Sequence, residues 1–181
     1  MRPNNKTVVL GVTGSIAAYR ACDITSRLTK ESIDVHVVLT AEALKFVTPL
    51  TFQTLSRNKV IMDMFDTPEE WSPRHTALAD KADLVLVAPA TANIIGKISA
   101  GICDDMLSCV IFATKAPVLL APAMNEKMYK NTIIQENIEK LKKAGYKFTG
   151  PIRGRLACGH EDIGHIQETK SIISEVKRLL K

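Results

Sequence analysis

The chain has few aromatic residues, five Phe, three Tyr and one Trp in 181, and none is interleaved with basic residues. That composition excludes the stacking groove of a nucleic-acid binder. Its net charge of +5 has no basic run behind it. The densest cluster, Lys177-Arg178-Leu179-Leu180-Lys181, reads as a solvated helix end. No apolar stretch is long enough to span a bilayer, and Arg2-Pro3-Asn4-Asn5-Lys6 opens the chain without an apolar leader segment. The expectation is a cytoplasmic protein with no membrane partner. Cys22, Cys103, Cys109 and Cys158 lack the paired short spacing of a zinc site, and a chain of this length needs no disulfide staples, so reduced thiols and no metal are expected. No linker, repeat or low-complexity segment interrupts it, so residues 1–181 are expected to form a single domain.

What is present is an alternation. Apolar runs at 7–12, 35–39, 84–88 and 118–121 are each followed by a helical pattern, at 15–28, 41–46, 91–100 and from the fourth run through Lys143. Near-continuous apolar strands between helices predict a parallel sheet covered on both faces, a doubly wound α/β fold of Rossmann-like type. Pro49 and Pro73 break the middle region, and 66–74 reads as an exposed loop. The stretch 150–164 carries four glycines and a proline and reads as a mobile flap; a last helix is expected from about Glu168.

Two of the strands end alike. Leu84-Val85-Leu86-Val87-Ala88-Pro89-Ala90-Thr91-Ala92-Asn93 is echoed by Pro117-Val118-Leu119-Leu120-Ala121-Pro122-Ala123-Met124-Asn125. Ligands of open parallel sheets bind where strand carboxyl ends meet a topological switch, so the duplicated endings predict one shared site. Gly11-Val12-Thr13-Gly14-Ser15-Ile16-Ala17 ends the first strand and opens a helix, a place that favours a phosphate or simply needs a tight turn. The second strand ends at Leu39-Thr40, where a dinucleotide fold would offer an acid to the ribose. The hydroxyl there argues against NAD and leaves a mononucleotide such as FMN.

Asn93 and Asn125 each follow a strand end, where an amide can hold a carboxylate, a phosphate or a flavin edge, or cap a helix. His75 is either an ordinary surface histidine or a proton carrier near neutral pH. His36 reads as structural. Cys158, between Gly154 and Gly159, is placed to offer an accessible thiol, whereas Cys22 and Cys109 read as buried packing residues. Met124 and Met128 suit core or pocket lining equally.

With these residues the chain resembles the flavin-containing cysteine decarboxylases. Three signatures occur in order: Pro-Ala-Ser-Ala-Asn-Thr as Pro89 to Ile94, Pro-x-Met-Asn-x-x-Met-Trp as Pro122 to Tyr129, and Gly-x-x-x-Cys-Gly as Gly154 to Gly159. The family histidine matches His75, and the likeness runs from about Lys6 to about Ile173. Thr91 replaces serine, Tyr129 replaces tryptophan, and Ile94 replaces a threonine with the loss of its polar group.

The resemblance implies FMN as cofactor, held by Gly14, Ser15, Ile16, Thr40, Phe46, Ala90, Thr91, Ala92 and Asn93. It implies a substrate contacted by Ala123, Met124, Asn125 and Ala157, and a catalytic set of His75, Asn125 and Cys158. The implied reaction is decarboxylation of phosphopantothenoylcysteine, a phosphorylated cysteine conjugate, to phosphopantetheine in coenzyme A biosynthesis. The thiol-bearing carbon is oxidised to a thioaldehyde, carbon dioxide leaves and an enethiolate remains. Asn125 holds the carboxylate, His75 assists proton movement, and Cys158 donates the proton as electrons return. No motif marks a pyridoxal-phosphate lysine, which makes a flavin the economical electron sink.

The family also implies a homotrimer, or a dodecamer of trimers, in which flavin and histidine meet across subunits. Asp104-Asp105 matches a segment near those contacts and equally suits an acidic helix start. The alternatives are a peptidyl-cysteine decarboxylase, a non-catalytic flavin-binding regulatory protein and a flavin prenyltransferase. The Cys158 flap argues against the first, and the full set His75, Asn125 and Cys158 against the others. The expectation is that a separate ligase supplies the substrate.

Overall fold

The computed structural model describes residues 6–64, 74–157, 159 and 161–181. Apolar strands bury both faces, and the chain winds around them in a parallel sheet. Strands β1 (Thr7–Val12), β2 (Asp34–Leu39), β3 (Leu84–Ala90), β4 (Val118–Pro122) and β5 (Lys147–Phe148) lie in the order β2-β1-β3-β4-β5, every pair parallel. Alternate residues serve opposite faces. Val8, Leu10 and Val12 face α1 (Ala18–Lys30), α2 (Pro49–Ser56) and α8 (Thr169–Leu179), while Val9 faces α3 (Arg74–Lys81), α4 (Ala92–Ala100), α5 (Met106–Ala113) and α7 (Thr132–Lys143). Leu107 of α5 packs directly on the backbone of Gly11, where a Cβ would lie 2.3 Å from its Cδ1. Each Leu, Ile or Val so buried stabilises the fold by roughly 1.5–3 kcal/mol before entropy is counted.

The expected doubly wound α/β fold is therefore present, with local differences. The first helix begins at Ala18 rather than Ser15, because residues 15–17 form a turn. The helix expected over 41–46 is a single 3₁₀ turn, Ala43–Lys45. Pro49 does not break a helix but opens α2 as a first-turn residue, where its missing N–H costs nothing. The helix after β4 is two, α6 (Glu126–Lys130) and α7, divided at Asn131, whose side chain accepts from the Ile133 N–H and caps α7. Arg74 belongs to α3 rather than to a loop; the rest of the loop expected at 66–74 lies outside the described residues.

The stretch read as a flap contains an antiparallel hairpin, β6 (Ile152–Arg155) with β7 (Glu161–His165). Its base is stapled to the chain after β4. The Met124 N–H donates to the Gly164 carbonyl at 3.0 Å, and Lys130 on α6 pairs with Asp162 at 2.5 Å. Gly164 has φ of 133° and lies so close that a Cβ would sit 2.2 Å from the Met124 carbonyl oxygen. Only glycine satisfies both conditions.

Candidate functional site

In a sheet of this order the chain reverses direction between β1 and β3, so the loops after these strands splay apart and leave a crevice. Here the two loops are tied at their roots. The Thr13 hydroxyl, buried behind Gly14, donates to the Pro89 carbonyl at 2.7 Å and accepts from the Thr91 N–H at 3.2 Å. The duplicated endings of β3 and β4 are neighbours, with Ala90 opposite Pro122 and the Ala123 N–H donating to the Ala90 carbonyl at 3.0 Å.

Above these roots opens a cleft of about 500 Å³, lined by Gly14, Ser15, Thr40, Thr91, Ala92 and Asn93 among others. Gly14 lets the loop after β1 close on the segment after β2, since a Cβ there would lie 2.3 Å from the Glu42 Cβ. Three hydroxyls converge. Ser15 Oγ accepts from Ala17 N at 3.3 Å, Thr40 Oγ1 from Ala43 N at 3.3 Å, and Thr91 Oγ1 from Ile94 N at 3.4 Å. Each oxygen serves its own loop as acceptor and keeps a hydrogen to donate. Thr91, not Asn93, is the cap of α4; Asn93 is the second residue of the helix and is exposed beside the cleft. Hydroxyl donors, an amide and the start of α1 suit the phosphate and polyol of a mononucleotide, and the volume lies within the roughly 300–1,000 Å³ usual for small-molecule sites. These residues fit FMN. Ile94 turns its side chain into the core, so the hydroxyl the motif usually carries is replaced there by packing.

Asp105 also lines the cleft. It caps α5 reciprocally with Ser108 and pairs with Lys97 at 2.8 Å. Burial pushes its carboxyl up, but the hydrogen bonds from Lys97 and Ser108 outweigh this and hold it below the ordinary range. Its charge is thereby compensated within the chain. Asp104 is exposed and pairs with the same lysine at 2.7 Å.

A second cavity of about 630 Å³ adjoins the cleft, and Ser15, Ala123 and Met124 line both. Asn125, Ile16 and Ala157 line it too, and the β6–β7 hairpin supplies one wall. Asn125 caps α6, its Oδ1 accepting from Lys127 N at 2.9 Å, while its Nδ2 donates to Glu126 Oε2 at 2.7 Å. Capping and cavity lining thus coexist in one residue. Met128, half exposed, lines the cleft.

Tyr19, Arg155 and His165 also line this cavity, and the sequence reading gave none of them a site role. Tyr19 is the second residue of α1, just past the glycine loop, and Arg155 lies inside the Gly154 to Gly159 motif; only their neighbours could have pointed to them. His165 Nδ1 lies 2.8 Å from the Ile166 carbonyl, which can only accept, so that nitrogen carries the hydrogen.

The structure does not bring every expected residue to these spaces. Ala90 is fully buried in β3, its carbonyl committed to Ala123. Phe46, 49% exposed, follows the 3₁₀ turn and lines neither space. His75 is half buried near the start of α3 and also lines neither. Cys158 lies outside the described residues; its neighbours Ala157 and Gly159 both line the larger cavity. Cys22 and Cys109 are half buried rather than buried, with burial pushing both thiols up.

Comparison with known proteins gives this geometry its context. The chain is 46% identical over 170 residues to the coenzyme A biosynthesis bifunctional protein CoaBC of Bacillus subtilis, covering 94% of this chain and 42% of that protein. It thus spans about two fifths of the length of the curated CoaBC relatives it matches. A probable phosphopantothenoylcysteine decarboxylase of Streptococcus mutans is 41% identical over 177 residues, covering 97% of this chain and 99% of that one. Among solved structures, a cysteine-to-serine variant of a PPC decarboxylase complexed with pantothenoylaminoethenethiol superposes with a TM-score of 0.85 at 29% identity, covering 97% and 98% of the two chains. The FMN-dependent cysteine decarboxylase SpaF gives 0.83 at 26% identity, with 97% and 98% covered. A family model described as Flavoprotein matches residues 2–181, and the chain belongs to the flavoprotein family.

Proposed function

We propose that this chain is an FMN-dependent carboxy-lyase that converts phosphopantothenoylcysteine into phosphopantetheine in coenzyme A biosynthesis. It acts as one domain over residues 1–181, in the cytoplasm, assembled as a homotrimer or a dodecamer of trimers. The observation that carries the reading is the wall formed by Ser15, Ala123 and Met124, which is common to the mononucleotide cleft and the Asn125 cavity. A ligand in one space abuts whatever fills the other. The names carried by relatives at 41–46% identity support the same activity.

FMN in the cleft supplies a two-electron sink, which loss of carbon dioxide from a cysteine carboxylate requires. The protein's own part is positioning and proton transfer. The Ser15, Thr40 and Thr91 hydroxyls and the Asn93 amide hold the mononucleotide. The Asn125 amide hydrogen-bonds the carboxylate until it leaves as neutral carbon dioxide. The imidazole of His75, brought to the site by a neighbouring protomer, takes up a proton. The Cys158 thiol returns one to carbon, so that substrate and product differ by carbon dioxide alone and the cycle is redox-neutral.

Mass spectrometry of phosphopantothenoylcysteine incubated with the FMN-loaded protein tests this reading. Loss of carbon dioxide with recovery of a saturated thiol is expected from the wild type. The Cys158→Ser variant should stop at a product two hydrogens poorer. Unchanged substrate beside flavin-loaded wild-type protein would overturn the assignment.

A further inference from the structure

Buried polar side chains in this protein are threonines and serines, with one exception among the described residues: Glu126, 8% exposed. Burying an ionisable group is costly unless partners compensate it. The position is the first of α6, a helix of five residues, where an acid facing solvent would serve the helix dipole as well and at lower cost. Glu126 lines neither cavity. Its Oε2 instead accepts from Asn125 Nδ2 at 2.7 Å, while Asn125 Oδ1 accepts from the Lys127 N–H at 2.9 Å.

These two bonds hold the Asn125 amide at both ends. Turning it over would set Oδ1 against the Glu126 carboxylate and Nδ2 against the Lys127 N–H, exchanging two hydrogen bonds for two contacts of like polarity. The lock fixes which end of the amide presents hydrogens, and hydrogens are what a substrate carboxylate needs. We propose that Glu126 is a positioning residue for the decarboxylation, acting through Asn125 to keep the amide in its carboxylate-binding orientation. The inference rests on the reading of Asn125 as the group that holds that carboxylate.

Two conservative variants separate this role from a charge effect on α6. Glu126→Gln keeps the chain length and an acceptor oxygen but loses the charge. Glu126→Asp keeps the charge but is one methylene too short to span the contact. With wild-type turnover of phosphopantothenoylcysteine as the control, Glu126→Asp should raise KM about tenfold, the cost of roughly one hydrogen bond, and Glu126→Gln by no more than about twofold. The dissociation constant for phosphopantetheine, which has no carboxylate, should stay within about twofold in both. The reverse ranking, or equal losses of substrate and product affinity, would overturn the positioning role and leave the decarboxylase reading standing. An inactive wild type would overturn that reading, and this inference with it.

Discussion

At the scale of single residues, Thr13 and Asp34 show how small groups hold large ones. The Thr13 hydroxyl closes the bottom of the cleft by serving the Pro89 carbonyl and the Thr91 N–H at once. Thr13→Val keeps the shape but strands both backbone groups, so the protein should lose about 1–3 kcal/mol of stability, read from the urea midpoint. FMN affinity should fall with it, because Thr91 lines the cleft. Asp34 stands at the opposite edge of the sheet, where its carboxylate meets Asn58 at 2.8 Å, Lys81 at 3.0 Å and His36 at 3.1 Å. Burial raises its pKa, yet the hydrogen bonds from Asn58 and Lys81 and the His36 contact outweigh this and bring it to about 2. An unfolded Asp titrates near ~3.9, so the folded state binds the proton less readily than the unfolded one. The stabilisation is whole above about pH 4 and is lost as pH falls toward about 2. Asp34→Asn should flatten that limb of a plot of urea midpoint against pH; an unchanged limb would show that the cluster does not hold the carboxylate.

At the scale of elements, the hairpin is a wall of the site only because it is held against the chain after β4. Gly164→Ala meets both an unfavourable φ and the Met124 carbonyl, so β7 must move away and the Met124–Gly164 bond must lengthen. The expected result is a KM for substrate raised roughly tenfold with the flavin absorbance of the purified protein retained. Loss of flavin as well would place the hairpin's influence on the cleft rather than the cavity. The sequence pattern could not have shown this element. Gly154 and Gly164 break strand propensity and Arg153, Arg155 and Glu161 break apolar alternation, so the segment reads as loop. By contrast β1, β3 and β4 were legible because strands covered on both faces are apolar at nearly every position. Helix α5, Met106–Ala113, was legible only at its acidic start, Asp104-Asp105, for a related reason: Met106-Leu107-Ser108-Cys109-Val110-Ile111 is apolar almost all round and gives no amphipathic period. In the site, Gly14 was readable because a close backbone approach demands it, and Asn125 because it caps α6; no backbone geometry demands Asn93, which is exposed beyond the Thr91 cap. Tyr19, Arg155 and Glu126 were not, since only tertiary packing decides which ordinary polar residue turns inward.

At the scale of the whole molecule, the position of His75 carries the argument. Helix α3 precedes β3 and runs against the strands, so His75 near its start lies at the same sheet edge as the cleft. Yet α3 packs beside α5 over one face of the sheet, and His75 lines neither space of its own chain. A histidine that serves the chemistry from there must serve a neighbour's site, as the proposed trimer allows. Subunit mixing tests this directly. His75→Asn and Asn125→Ala should each be inactive as homo-oligomers. In a co-refolded equal mixture, about a quarter of the interfaces join an intact His75 from one subunit to an intact Asn125 from the next, and about a quarter of wild-type activity should return. Sites built within a single chain would return none, because every chain in the mixture lacks one of the two residues.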